Sequence, residues 1–128
     1  TMDDIQKMFV ESEKAMVKLY NAKKIDKILE YFSENFIGFS STKHERLTKL
    51  SQLKQTFLHY MAEGDSVKYS IKNIKVNIYG ECVLTSFYWR VNIHKGKKLI
   101  SLNGRGSHIY VQMGEDWEIV HEHFSKAH

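Results

Sequence analysis

The chain has 128 residues, of which 42% are hydrophobic and 27% are charged, and its formal net charge is +4 with the histidines neutral. This length predicts a single domain spanning residues 1–128, and the composition is that of an ordinary globular protein. The chain has no run of 18 or more apolar residues, which excludes a membrane-spanning helix. The lysines are scattered rather than gathered into a basic and aromatic stripe, so we expect no nucleic-acid binding.

The single cysteine and the N-terminal residues indicate the cellular compartment that we expect for the protein. Cys82 is the only cysteine, so an intrachain disulfide is impossible and we expect a reducing cytoplasm. Because Cys82 stands where a strand begins, we expect a buried, inert thiol. The segment Thr1-Met2-Asp3-Asp4 has neither a basic start nor an apolar core, so we expect no secretory signal.

The first half of the chain predicts helices. Apolar residues recur at helical spacing over residues 3–22, over a shorter segment from Ile25 to near Ser33, and from Leu47 to Met61. Gly64 stops the third of these helices. The residues Phe36, Ile37 and Phe39 predict a short strand between the second helix and the third.

The second half predicts strands. Apolar residues alternate from Val67, with a slip at Lys72-Asn73 that predicts a bulge. Two long strands follow, Cys82 to His94 and Leu99 to Met113, and a last strand begins near Trp117 after the turn at residues 114–116. Helices followed by a four-stranded antiparallel meander define an α+β domain. Strands this long must curve, and a curved sheet with helices in its mouth forms a cup that can hold a small molecule.

The two faces of this sheet differ in polarity. One face is very apolar and carries Val83, Phe87, Trp89, Val91, Ile93, Ile109, Val111, Met113, Trp117 and Ile119. The other mixes aromatic with ionisable residues and includes Tyr88, Arg90, His108, Tyr110, Glu122 and Phe124. Both faces are more apolar than contact with water requires, and three helices cannot cover both. We therefore expect a second copy of the chain to cover one of them, in a homodimer.

His108 and Glu122 are the strongest candidate pair for chemistry. A three-residue loop at Gly114–Asp116 would place them opposite each other across the last hairpin. A carboxylate beside an imidazole makes a proton-transfer dyad near neutral pH, although an ordinary ion pair on a wet surface fits the pattern too. Arg90 shares their parity, so it would clamp an anionic oxygen of a ligand, neutralise Glu122 or point to solvent.

Two other motifs predict no cofactor or metal. His121 and His123 have the spacing of a zinc or copper pair, but no third ligand stands nearby in sequence, so we expect packing rather than a metal site. The Gly104-Arg105-Gly106 segment lies within a strand and leads into no helix, so it cannot cradle a phosphate. We interpret these glycines as a bend where the sheet curls.

The tail of the chain resembles a known superfamily. The segments Asn103 to Gly106 and Trp117 to Ser125 are similar to those of nuclear-transport-factor-2-like proteins, in particular SnoaL-like and ketosteroid-isomerase-like members and the association domain of calcium/calmodulin-dependent kinase II. The resemblance implies a cone-shaped α+β fold, with N-terminal helices packed in the mouth of a strongly curved antiparallel sheet, and usually a dimer. It does not imply one activity, because this fold hosts enzymes, binding modules and assembly domains.

The same resemblance implies which residues line the pocket. Three pocket arginines of the kinase association domain fall on Arg90, His108 and Phe124, so only one cation is kept. The aspartate base of the steroid isomerases has no counterpart that we can place. The apolar pattern alone would turn the face of Arg90 to water, whereas the resemblance turns it into the cone. We follow the resemblance, because Tyr88, Tyr110 and Phe124 would otherwise be exposed together.

These observations lead to one interpretation and one alternative. The interpretation is a homodimer that binds a small, aromatic or weakly acidic molecule in a mixed apolar and polar pocket. If it is an enzyme, proton transfer or hydration–dehydration beside a carbonyl fits best, with His108 and Glu122 as acid and base. Arg90, Tyr88, Tyr110 and Phe124 would then contact the ligand. The alternative is a non-catalytic assembly domain.

Overall fold

The computed structural model describes residues 2–127 and has an α+β fold. In chain order, the elements are α1 (Met2–Asn21), α2 (Ile25–Leu29), β1 (Phe32–Phe39), α3 (Leu50–Met61), β2 (Ser66–Tyr79), β3 (Cys82–Lys95), β4 (Lys98–Met113) and β5 (Asp116–Lys126). The predicted fold class is confirmed. Of the helices described, none is long and apolar enough to cross a membrane.

All five strands form one sheet in the order β1-β5-β4-β3-β2. The strands β2 to β5 make the antiparallel meander that the alternating pattern predicts. The predicted short strand is longer than expected, and it pairs in parallel with β5 at one edge of the sheet. Helix α1 packs across β2 and contacts α2, so the N-terminal helices fill the concave side of the sheet.

The slip in the pattern of β2 is a bulge. The register with β3 shifts between Lys72 and Lys75, and Asn73 takes a positive φ of 56° there. Asparagine tolerates this left-handed conformation better than most residues. The bulge lets Ile71 before it and Val76 after it both face the concave side, opposite buried residues of β3.

The turn between β3 and β4 decides which residues share a face, and here the sequence-based assignment was wrong. Lys95 pairs with Lys98 across a two-residue turn, so odd-numbered residues of β3 stand beside even-numbered residues of β4. Val83 therefore lies beside Tyr110 on the concave side. The apolar residues of β3 and the mixed residues of β4 share one face, instead of lying on opposite faces.

The glycines of β4 leave room for aromatic rings of β3. Gly104 lies opposite Trp89 and Gly106 opposite Phe87. A Cβ atom on Gly104 would overlap both the Trp89 ring and the carbonyl oxygen of Ser125. These rings therefore lie across β4, and close packing rather than backbone freedom requires glycine here.

A second bulge, in β5, sets the direction of its side chains. Met113 pairs with Asp116 rather than with Trp117, so the loop is shorter than predicted. The register then shifts between the Tyr110–Ile119 and Ile109–His121 pairs, which leaves Val120 as the extra residue. As a result Ile119 before the bulge and Glu122 after it are both buried on the concave side.

Candidate functional site

A buried carboxylate on α1 begins the site. Glu13 follows Phe9 by four residues and precedes Met16 by three, so the three side chains share one face of the helix. Only 2% of Glu13 is exposed. Charged side chains this deeply buried require partners, and the sheet supplies them.

His108 on β4 joins two carboxylates from different elements. Its Nδ1 lies 2.8 Å from Oε2 of Glu13, and its Nε2 lies 2.8 Å from Oε1 of Glu122. Since a carboxylate accepts hydrogen bonds, both ring nitrogens donate, which requires the imidazolium form. The three side chains form what we call the acid–histidine–acid cluster: Glu13, His108 and Glu122.

The electrostatics of the cluster keep His108 charged at neutral pH. Burial alone would lower the pKa of His108, but the charge of Glu13, the hydrogen bonds to Glu122 and Glu13, and the charge of Glu122 together raise it from 6.5 to about 10. With two carboxylates and one imidazolium, the cluster carries a net charge of −1. His108 is therefore not a free base near pH 7.

Glu13 is fully engaged by its neighbours. Its Oε2 accepts hydrogen bonds from the hydroxyl groups of Thr85, at 2.7 Å, and Tyr110, at 2.9 Å, as well as from His108. Burial and the charge of Glu13 raise the pKa of Tyr110, which keeps its hydroxyl group protonated as a donor. Glu13 thus fixes α1 to the sheet and anchors the imidazolium.

Only one of the two carboxylate oxygens of Glu122 accepts a hydrogen bond from the part of the protein described here. Its Oε1 accepts from His108. Within residues 2–127 no hydrogen bond joins its Oε2 to another protein group. Glu122 is only 4% exposed, and it lines a cavity on the concave side. A buried carboxylate with one oxygen held by a cation and the other unpaired is placed to accept a proton from a bound molecule.

The cavity has a volume of about 60 Å³. At roughly 10–15 Å³ per water molecule, it holds a few waters or a small organic group. The acid–histidine–acid cluster forms part of its wall, and Ser40, Ser41 and Thr42 add hydroxyl groups. Aromatic rings make up much of the rest, from Tyr20, Phe32, Phe57, Tyr69, Trp89 and Phe124.

Four predicted site residues lie on the concave side. His108 and Glu122 stand opposite each other, as predicted, although the bulge in β5 rather than a three-residue loop gives this register. Phe124 lines the cavity and stacks on Trp89 with ring centroids 6.1 Å apart. Tyr110 is buried behind the cluster, where its hydroxyl group bonds Glu13.

The other two predicted ligand contacts, Arg90 and Tyr88, lie elsewhere. Both project from the convex face of the sheet, where Tyr88 is 51% exposed and Nε of Arg90 donates to Oδ1 of Asn103 at 2.8 Å. Their predicted position inside the cone, which came from the resemblance, was wrong, because the odd-numbered residues of β3, Trp89 among them, are the ones buried on the concave side. No arginine reaches the cavity from this strand.

The histidine pair and the cysteine lie away from the cluster. His121 donates from Nδ1 to the carbonyl oxygen of Ile37 at 2.8 Å, and His123 packs against Phe39. Within residues 2–127, no group of three or more His, Cys, Asp or Glu side chains is arranged to hold a metal ion. Cys82 is half-buried rather than fully buried as predicted.

The fold and the concave cavity define a protein of the NTF2-like class, as the tail of the chain implies. The family described as SnoaL-like domain matches residues 13–128. The chain therefore belongs to the SnoaL-like domain family. No curated protein matches the chain.

Solved structures share this fold at low sequence identity. An NTF2-like protein of unknown function from Pseudomonas putida KT2440 is 15% identical, with a TM-score of 0.82 over 96% of this chain and 87% of its own. A proposed dehydratase of the NTF2-like family from Streptomyces avermitilis is 10% identical, with a TM-score of 0.82 over 100% and 99%. The CaMKII hub of S. rosetta is 15% identical, with a TM-score of 0.76 over 95% and 96%. At these identities the likeness concerns the fold alone.

Proposed function

We propose that the protein binds a small molecule in the concave cavity and transfers a proton beside a carbonyl group, as in an isomerisation or a hydration–dehydration. The observation that carries this proposal is the carboxylate of Glu122. One of its oxygens is held by the His108 imidazolium and the other, unpaired within residues 2–127, belongs to a side chain of the cavity wall. A carboxylate oxygen that is free of protein hydrogen bonds can act as a general base toward a molecule in the cavity.

The reaction would proceed through Glu122. Its Oε2 takes a proton from the carbon beside the carbonyl, and the electron pair of that C–H bond forms the C=C bond of an enol or enolate. Glu122, now a carboxylic acid, returns the proton to the same carbon, to another carbon or to a leaving hydroxyl group. His108 orients the carboxylate through Nε2 rather than exchanging the proton itself, because Glu13 holds its other nitrogen.

The comparisons support the reaction class only at the level of fold. The S. avermitilis protein that shares this fold is described as a proposed dehydratase of the NTF2-like family. A dehydration needs a base to remove a proton and an acid to protonate the departing hydroxyl group, and a single carboxylate can fill both roles in turn. The arrangement of Glu122 in this chain meets that need.

Deuterium incorporation tests the proposal without knowledge of the natural substrate. In D₂O, the protein is expected to exchange the protons beside the carbonyl of small ketones, such as acetone and 2-butanone, faster than buffer does. The Glu122→Gln protein is expected to lose about 10²- to 10⁴-fold of this rate, because an amide is not a base. The exchange is followed by proton NMR.

Arg90→Ala is the matched control, because Arg90 lies on the convex face. It is expected to exchange at the wild-type rate. A Glu122→Gln protein that is folded and exchanges as fast as wild type would eliminate Glu122 as the base. Circular dichroism of each variant checks the fold independently of the exchange.

The alternative, a non-catalytic assembly domain, is favoured by the resemblance to the S. rosetta hub and by exposed apolar side chains. On the convex face, Tyr88 and Leu99 are exposed on neighbouring strands. We propose that this face binds a second copy of the chain.

We also propose that the protein is cytoplasmic, because a chain with a single cysteine cannot form an intrachain disulfide.

Multi-angle light scattering distinguishes these assemblies. We expect a dimer at micromolar concentration, and we expect Tyr88→Lys to shift it toward monomer by placing a charge in an apolar contact. A ring of many chains would instead favour the assembly function. A wild-type protein that is monomeric at all concentrations would refute the proposed interface.

A further inference from the structure

The three neighbouring strands β2, β3 and β4 contain no acidic residue. Seven of the 19 lysines and arginines of the chain lie on these strands, and all 15 aspartates and glutamates lie elsewhere, together with the other 12 basic residues. The three strands therefore carry a charge of +7, and the rest of the chain carries −3. Cations that are scattered in the sequence thus come together on one sheet.

Five of these seven cations project from the convex face of the sheet. The bulge in β2 places lysines from both sides of it on this face, and the five exposed side chains are Lys68, Lys72, Lys75, Arg90 and Arg105. Within residues 2–127, none of the five forms an ion pair, whereas Lys54 of α3 pairs with Asp26 at 2.9 Å. The middle of the convex face therefore carries positive charge that no described carboxylate pairs.

Three of the cations line one groove on this face. Lys72 lies opposite Tyr88 across β2 and β3, and Tyr88 lies opposite Arg105 across β3 and β4. Arg90 follows Tyr88 by two residues, so it stands on the same face of β3. The groove lined by Tyr88 and these three cations has a volume of about 630 Å³, which accommodates an oxyanion together with some of its water.

The two guanidinium groups of the groove have unused hydrogen-bond donors. Nε of Arg90 donates to Oδ1 of Asn103 at 2.8 Å, and in the described part of the chain its other N–H groups have no acceptor. The side chain of Arg105 has no acceptor there either. Guanidinium groups bind phosphate and similar oxyanions through pairs of parallel N–H bonds. The charge and the donors of this groove therefore suit a multiply charged oxyanion.

The same cations oppose the contact that we propose between two copies of the chain. In a two-fold contact, the same surface of each copy meets. Two faces with five unpaired cations each would then approach, and the repulsion between like charges grows as water is removed from between them. A doubly charged anion between the two faces would offset this repulsion and accept hydrogen bonds from both copies.

We propose that the groove lined by Lys72, Arg90 and Arg105 binds a doubly charged oxyanion of the phosphate or sulfate type, and that this anion links the convex faces of two copies. The inference rests on the proposed dimer, because it names the ligand that the contact requires. Tyr88 and Leu99 supply apolar contact, and the anion compensates the charge. The dimer therefore responds to the kind of anion present, beyond any response to ionic strength.

The first test compares anions at constant ionic strength. Light scattering over a dilution series gives the dissociation constant of the dimer in sodium chloride, and again with sulfate at about 10 mM replacing part of the chloride. We expect sulfate to lower this constant at least about fivefold, because the anion binds the dimer more tightly than the monomer. Methanesulfonate is the matched control anion, since it is tetrahedral but singly charged, and it is expected to act as chloride does.

The second test removes the cations one at a time. Arg90→Gln and Arg105→Gln are each expected to dimerise more tightly than wild type in chloride and to lose most of the response to sulfate, because each removes repulsion and an anion-binding group. Lys54→Gln is the matched control, since it removes the same charge from α3, on the other side of the sheet. It is expected to keep the response of wild type to sulfate.

The outcomes separate this inference from the proposed dimer and from the proposed proton transfer. A dimer of equal strength in chloride and sulfate would overturn the inference and leave the interface standing, whereas a protein that is monomeric in both would overturn the two together. A sulfate response that survives in both arginine variants would place the anion elsewhere and overturn the inference. A thymidine oligonucleotide that binds this face while sulfate has no effect would overturn it in favour of a nucleic-acid surface. Deuterium exchange by Glu122 is measured separately and does not depend on the anion.

Discussion

Replacement of His108 by alanine is expected to lower the free energy of unfolding by about 3–5 kcal/mol. Only 3% of His108 is exposed, and its imidazolium lies between the carboxylates of Glu13 and Glu122. The variant would leave two buried carboxylates without their shared cation, as well as a cavity where the ring was. Urea denaturation at pH 7 measures the change.

A double-mutant cycle separates loss of charge pairing from loss of volume. Glu122→Gln removes one of the two carboxylates that pair with the His108 imidazolium. In the Glu122→Gln background, His108→Ala is therefore expected to lower the free energy of unfolding by a smaller amount than in wild type, with a difference of at least about 1 kcal/mol. His59→Ala is the surface control, because His59 is half exposed and lies 3.9 Å from Glu63. It is expected to change stability by less than about 0.5 kcal/mol. If the changes in the free energy of unfolding caused by His108→Ala and Glu122→Gln add exactly, the two side chains contribute to stability independently, and the expected ion-pair coupling is absent.

The sequence predicts the fold well because its signals are local. The helical spacing over residues 3–22 and the alternation from Val67 depend on which residues are apolar, and the observed elements α1 and β2 follow them. The slip at Lys72-Asn73 is also visible in the alternation itself. The parallel pairing of β1 with β5 leaves no such local mark, because it joins segments far apart in the chain.

The faces of the strands depend on single residues in turns and bulges. One residue more or less in a turn reverses the face of every side chain that follows. The misplacement of Arg90 and Tyr88 had another cause, because their concave position came from the resemblance, whereas the apolar pattern of β3 turned the face of Arg90 to water, as observed. The bulge at Val120 compensated for the wrong loop length before Glu122. The residue that sequence reasoning missed, Glu13, does carry a signal, because it is an acid between Phe9 and Met16 on an apolar helix face.

The presence of Glu13 in the cluster also changes which residue of the His108–Glu122 pair can accept a proton. A histidine with one carboxylate beside it would share a proton near neutral pH and could serve as acid or base. The second carboxylate, from α1, holds the proton on the ring and leaves Glu122 as the group free to accept one. The contact that α1 makes through Glu13 is thus the reason why we propose Glu122, rather than His108, as the base.

Stability is expected to fall as the pH rises from about 7 to 10. The pKa of His108 is about 10 in the folded protein and near 6.5 in an unfolded chain. A raised pKa contributes stability in full below the unfolded value, and this contribution is lost as the pH rises through the folded value. Between the two values, each pH unit should remove about 1.4 kcal/mol, for a total on the order of 5 kcal/mol. Urea denaturation across this pH range gives the slope.

The proton itself can be counted. At pH 8 the folded protein retains the His108 proton and the unfolded chain does not, so unfolding releases about one proton from this residue. Calorimetric unfolding enthalpies in buffers of different ionisation enthalpy report that number. His108→Gln should release about one proton fewer than wild type, and His59→Gln, at a half-exposed position, is the control substitution. Equal proton release from wild type and His108→Gln would show that His108 is neutral in the folded protein, and it would contradict the imidazolium assigned to the acid–histidine–acid cluster.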